Sequence, residues 1–176
     1  MISFSDLCAA NPDFRFELDS RGECRVMTPA SSGSGRRNQL LSQRLGVWAE
    51  ADGRGLTFDS STGFTLPDGA IRSPDASWVA RDRWDALTSE EQEGFAPLCP
   101  DFVAELRSAS DRLRDLREKM AEYIGQGARL GWLIDPGRHV VEVYRPGRDP
   151  ETMADPVTLP GEDVLPGFVL DLKDIL

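Results

Sequence analysis

Two carboxylates stand where the chain is otherwise turning apolar. Asp75 follows a proline in IRSPDASWV, and Glu105 lies in DFVAELR, whose other positions are mostly hydrophobic. Each has a plain structural reading. Pro-Asp pairs punctuate turns, and Glu105 with Arg107 has the spacing of an ion pair on one face of a strand end. Each also has a chemical reading, because a carboxylate in apolar surroundings is costly unless it is paired or bound to a metal. Two carboxylates from neighbouring strands suit a hard cation such as Mg²⁺ (or Mn²⁺), which takes oxygen ligands, keeps several waters and leaves room for a phosphate. Such an ion lowers the pKa of a bound water and offsets charge developing on phosphorus.

A cation near the attacked phosphate helps the same chemistry. The segment SASDRLRDLREKMAEYIGQG offers one. At about 100° per residue, Lys119 falls about 60° from Leu116 and about 40° from Tyr123, at the border of an apolar stripe. Arg112 flanks the same edge. Snorkelling of a long side chain explains such a position equally well. Histidine chemistry is nearly excluded: His139 is the single histidine, in HVVEVY after a turn, where it reads as a surface residue at a strand end. Acid–base and metal chemistry must therefore rest on carboxylates, lysine and arginine.

These side chains need elements to hold them. SFSDLCAA starts a short helix, and FRFELDSRGECRVM alternates about a DSRG turn as a hairpin. ASSGSG reads as a flexible loop. Leu40, Leu41, Leu45 and Trp48 recur at helical spacing over residues 36–50. The arginines Arg36 and Arg37 stand at that predicted N-terminus, where they oppose the macrodipole. Arg44 follows them along the helix. These three hint at a phosphate partner or are simply solvated. Short strands follow up to Ala80, then helix and loop, then the strand DFVAELR. The long helix carries Leu113, Leu116, Met120, Tyr123 and Ile124 as one stripe, with Ser108 and Asp111 spaced as a capping box. ARLGWLID and HVVEVYR form a second hairpin, and two Leu-Pro-Gly turns mark the tail. Trp78 and Trp132, in apolar strands, read as buried anchors. The order predicts an α/β protein, a mixed β-sheet flanked by helices, in a single domain over 1–176.

The totals narrow the function classes. The chain has 176 residues and a net charge of −10, which argues against a general nucleic-acid coat. Charge is uneven, however. Residues 149–176 hold seven acids against Lys173 alone, whereas residues 105–148 hold seven acids and nine Lys or Arg. A phosphate-rich partner is thus neither supported nor excluded. No apolar run is long enough to span a membrane, and no secretory signal is visible at the start. Cys8, Cys24 and Cys99 fit reduced thiols, and a cytoplasmic location is expected.

Several stretches together resemble the Uma-two family: FEL at residues 16–18, RSPDASWV at 72–79, LCPDFVAELRSASDRLRDLREKMAEYIGQGARLGWLIDP at 98–136, VEVYRPG, and GEDVLPGF. The likeness covers nearly the whole chain and is most specific in the long central block. It implies a restriction endonuclease-like core of the PD-(D/E)XK nuclease superfamily, bacterial in origin, with metal-dependent cleavage of DNA as the activity. It also implies a site in which Asp75 supplies the aspartate of the Pro-Asp motif and Glu105 the second acid, the two holding Mg²⁺ or Mn²⁺. This chain has Arg107 where the superfamily motif has lysine. Arginine stays protonated, so it stabilises charge but cannot act as a base. Lys119 would restore the ammonium from the next helix, assisted by Arg107. Glu17, in FEL, is expected either to complete the metal shell or position a water, or to be a surface acid.

Two further readings stand beside a metal-dependent endonuclease. One is a non-catalytic nucleic-acid-binding or protein-interaction module on the same scaffold, favoured by Arg107. The other is a hydrolase of different phosphodiesters. DNA is the expected partner, and a homodimer the expected assembly, since cutting two strands suits two-fold symmetry.

Overall fold

The computed structural model describes residues 3–176. Its elements run α1 (Phe4–Ala10), β1 (Arg15–Leu18), β2 (Cys24–Met27), α2 (Ser32–Asp52), β3 (Gly55–Asp59), β4 (Phe64–Thr65), β5 (Ile71–Arg72) and β6 (Ala76–Ala80). There follow α3 (Arg81–Asp85), α4 (Ser89–Glu93), β7 (Phe102–Leu106), α5 (Leu113–Gly125), β8 (Leu130–Asp135), β9 (Val140–Tyr144), β10 (Glu151–Ala154), β11 (Thr158–Pro160) and β12 (Val169–Asp171). Among the described residues, no helix is long and apolar enough to cross a membrane.

The main sheet has six strands in the order β10-β9-β8-β7-β6-β3. Its one parallel pair, β7 with β8, is joined by α5, the crossover that parallel pairing needs. Every other neighbouring pair is antiparallel. Strand alternation divides the core into two layers. Phe102, Ala104, Trp132, Ile134, Val141 and Val143 face α2 and the β11–β12 hairpin. Val103, Leu133 and Tyr144 face Met120 and Tyr123 of α5. Trp132 is fully buried, edge-on to Phe102 with ring centroids 4.8 Å apart. Gly131 lets α5 approach, because a Cβ there would come within 2.5 Å of the Met120 methyl group.

A second sheet, in the order β2-β1-β5-β4, is small and antiparallel. It joins the main sheet through residues 73–75, which lead from the end of β5 to the start of β6.

Two helix starts differ from the sequence reading. The helix α2 begins at Ser32, inside the stretch read as a loop, because the Ser31 side chain accepts from the Ser34 N–H and caps it. Arg36 and Arg37 therefore lie beyond its first turn. The helix α5 begins at Leu113, with Arg112 in the cap position and no side-chain cap. Ser108 and Asp111 do bond, Asp111 Oδ2 accepting from the Ser108 N–H and hydroxyl at 2.7 Å each. They close a separate turn ahead of the helix.

Candidate active site

The sheet register brings the two carboxylates together. Ala76 pairs with Ala104 across β6 and β7, so one step further along Asp75 stands opposite Glu105. Asp75 Oδ2 accepts the Leu106 N–H at 2.7 Å and Oδ1 accepts the Asn38 side-chain amide of α2 at 3.0 Å. The carboxylate is thus fixed by one neighbour in the sheet and one in the helix above it. Glu105 is buried on the α5 face, where its Oε1 accepts from the Tyr123 hydroxyl at 3.2 Å and meets Lys119 Nζ at 2.8 Å. Its other oxygen, Oε2, accepts no hydrogen bond among the described residues.

Lys119 is not at a solvated border. Only 8% of it is exposed, and its ammonium bonds Glu105 Oε1 and Glu17 Oε1 at 2.8 Å each, with the Ser73 carbonyl at 3.4 Å. Three oxygens thus surround an ammonium that has three protons. Glu17 is buried in turn, accepting from the Ser73 N–H at 3.0 Å and lying 3.4 Å from Arg72.

The electrostatics follow from burial. Desolvation pushes the Glu105 carboxyl up to about 8, against the pull of Lys119 and with the push of Asp75 and Glu17. Asp75 is also raised, first by burial, although the Leu106 N–H and Lys119 oppose it. Burial works against the Lys119 ammonium too, but Glu105 and Glu17 outweigh it and hold its pKa above the ordinary value. For Glu17 the balance tips the other way: Lys119, the Ser73 N–H and Arg72 overcome desolvation and lower it.

The remaining question at this site is whether it suits a divalent cation. No group of three or more His, Cys, Asp or Glu side chains is placed to hold a metal among the described residues. Magnesium needs no such cage, since one or two carboxylates plus waters and a phosphate suffice. The donors here are hard oxygens, with Glu105 Oε2 uncommitted. Four carboxyl groups (Glu17, Asp75, Glu105 and Glu122) meet two cations, Lys119 and Arg72. Burial is the main reason that Asp75 and Glu105 are raised, the neighbouring carboxyls add to it, and a cation would offset both. The residues fit.

The Uma2 family model, described as "Putative restriction endonuclease", matches residues 3–173. The chain belongs to the Uma2 family. A solved structure of "a putative nuclease belonging to DUF820" from Anabaena variabilis superposes with a TM-score of 0.76 at 21% identity, covering 91% of this chain and 88% of that one. At that identity the likeness speaks to the fold. No curated protein matches this chain.

This Uma2 chain departs from the sequence reading at Arg107. Strand alternation placed Arg107 beside Glu105, and its N–H still donates to the Ile134 carbonyl of β8 at 2.8 Å, but its side chain does not pair with that acid. Arg107 instead reaches Asp135 at the end of β8, at 2.7 Å, and donates to the Asp111 carbonyl through two nitrogens at 3.3 Å. It ties two strand ends to the turn before α5. Glu17 also differs, being the buried residue of its strand while Phe16 and Leu18 are only half-buried. Arg112 is exposed, as is His139, which sits in a left-handed backbone conformation ahead of β9 at φ 53°. Four contacting residues escaped the sequence reading: Asn38, Arg72, Glu122 and Tyr123. Glu122 carried a signal, because it lies three positions after Lys119 on one helix face. Nothing in the spacing marked Asn38.

Proposed function

We propose that this chain is a metal-dependent endodeoxyribonuclease, with Asp75 and Glu105 holding Mg²⁺ or Mn²⁺ and Lys119 facing the scissile phosphate. The observation that carries this reading is Asp75 opposite Glu105 at adjoining strand ends, with the Lys119 ammonium on Glu105. The reaction adds water across a phosphorus–oxygen ester bond, giving a phosphate monoester and a hydroxyl. A bound divalent ion would supply charge neutralisation and a more acidic water.

The protein's own groups do the rest. Lys119 keeps its proton, so it acts as a donor and not as a base. Its longest bond, to the Ser73 carbonyl, is the one that a phosphate oxygen can replace at least cost. Asn38 and the Leu106 N–H hold the Asp75 carboxylate in one orientation, so no reorganisation is needed when substrate arrives. A concavity of about 500 Å³, lined by Ser42, Thr57, Asp59, Ser61 and Thr62, opens between α2 and β3. It adjoins Asp75 from the α2 side of the sheet, since Asp59 is opposite Ala76 and the Ser42 hydroxyl bonds Asn38, whereas Glu105 and Lys119 lie on the α5 side. Arg107, engaged with Asp135, supports the site from outside and keeps a non-catalytic module as the second reading.

The test is nicking of supercoiled plasmid in Mg²⁺ or Mn²⁺. Wild type cuts; Asp75→Ala and Glu105→Ala abolish cutting; Lys119→Met lowers kcat by about 10²–10³-fold. Cleavage that persists in both alanine variants sinks the site, and an inert wild type favours the module.

A further inference from the structure

The ammonium of Lys119 is held by charges that come from another sheet. Glu17 lies on β1 and Arg72 ends β5, and these strands pair at Leu18 and Ile71. Arg72 is buried, with 8% of its surface exposed. One guanidinium nitrogen lies 3.4 Å from Glu17 Oε2 and another 2.5 Å from Glu122 Oε2 on α5. Glu17 uses its other oxygen, Oε1, for Lys119 and the Ser73 N–H. Glu122 follows Lys119 by one helical turn. The contacts thus form a closed loop, running from α5 through Glu122 to Arg72, on to Glu17, and back to α5 at Lys119.

We infer that Arg72 is a positioning residue for Lys119, orienting Glu17 and anchored by Glu122. The inference rests on the nuclease reading for its kinetic consequence but not for its geometry. An arginine suits the task because its rigid fork serves two carboxylates at once, whereas a lysine is a point charge. Without this anchor Glu17 Oε2 loses its partner, and the carboxylate is held by Oε1 alone. The ammonium would then fall back on Glu105, which is the group offered here to the metal. Arg72 touches neither Glu105 nor Lys119 in any hydrogen bond or ion pair among the described residues, so its effect must pass through Glu17.

The composition makes the test direct, because the chain has two lysines, Lys119 and the exposed Lys173. In protein labelled with ¹⁵N-lysine, the ammonium spectrum resolves a protected Lys119 signal, with Lys173 as an internal control. Glu122→Gln and Arg72→Lys are expected to shift the Lys119 resonance and speed its exchange with water several-fold, leaving Lys173 unmoved. In Mn²⁺, kcat is expected to fall about 10- to 100-fold with KM for DNA unchanged. The double variant R72M/E122L, which removes both charges together, serves if either single variant fails to fold. A Lys119 resonance unchanged in the folded variants overturns the inference, as does a wild-type kcat in active variants. If the wild type does not cut DNA, the nuclease reading fails, and the resonance alone decides the positioning role.

Discussion

At the scale of single residues, the site was legible wherever a charge interrupted an apolar segment. Asp75, Glu105 and Lys119 all carried that signal, and the fold brings them together. What the sequence hid was partner choice. Glu17, read as completing a metal shell, positioning a water or lying at the surface, is buried and holds Lys119. Arg107 looked like the partner of Glu105 and instead meets Asp135, the acid at the end of the neighbouring strand. The raised carboxyls lead to a prediction about metal binding. An acid whose pKa is raised on folding loses stability as pH rises from its unfolded value towards about 8, the folded value of Glu105. A divalent cation binds the ionised form, so the stabilisation it gives should grow over the same range. Differential scanning fluorimetry is expected to show a larger Mn²⁺-induced rise in Tm at pH 8.5 than at pH 6.5, and almost none in Glu105→Gln. A shift that is equal at both values would remove the buried pair as the binding site.

At the scale of elements, the long helix and the central strands were readable because both periodicities were strong. Boundaries were harder. Residues 32–35 are rich in glycine and serine, which argues against helix, yet a single serine cap and the packed Leu41, Leu45 and Ala49 carry the helix through. The strands β10, β11 and β12 were read only as a turn-rich tail, since each is short and gains its order from pairing. Close approach between elements also left no sequence signal. Gly55, at the start of β3, lies against the Trp78 indole, and a Cβ there would come within 2.2 Å of the ring. That ring packs on Trp48 at a centroid distance of 6.2 Å. Gly55→Ala must displace it and is expected to cost about 1–3 kcal/mol by urea denaturation. A changed tryptophan emission should accompany the loss. Unaltered stability would mean that the indole has room to move.

At the scale of the whole molecule, the uneven charge seen in the sequence becomes a spatial arrangement. The acidic tail folds back on α2, where Arg44 donates to the backbone carbonyls of Asp171 and Lys173 and Arg36 lies 3.7 Å from Asp174. Part of the basic charge on α2 is therefore spent on the tail, which weakens the hint of a phosphate partner there. Ion pairs made by buried carboxylates also set the response to acid. Burial works against the Glu142 carboxylate, but Arg117, at 3.0 Å from both its oxygens, and the Tyr144 hydroxyl at 2.8 Å hold its pKa below the ordinary 4.5. A carboxyl lowered on folding stabilises above its unfolded pKa and loses that contribution as pH falls through the folded one. Glu142→Gln is thus expected to be less stable than wild type at pH 7, with the gap closing in acid. Urea titrations at pH 7 and pH 3 check this, and a gap that stays constant would contradict it.

The link at residues 73–75 has a consequence for anyone who would transplant or shorten this protein. Ser73 supplies a seat for the ammonium, and Asp75, two positions later, supplies the acid opposite Glu105. The distance between the two sheets is therefore written into the count of residues in that link. An insertion there would misplace both groups in a single stroke, and no point substitution elsewhere could restore them. A graft onto a new scaffold must carry β1 and β5 along with the main strands, because the small sheet that looks like trimming supplies Glu17 and Arg72 to the buried charge cluster.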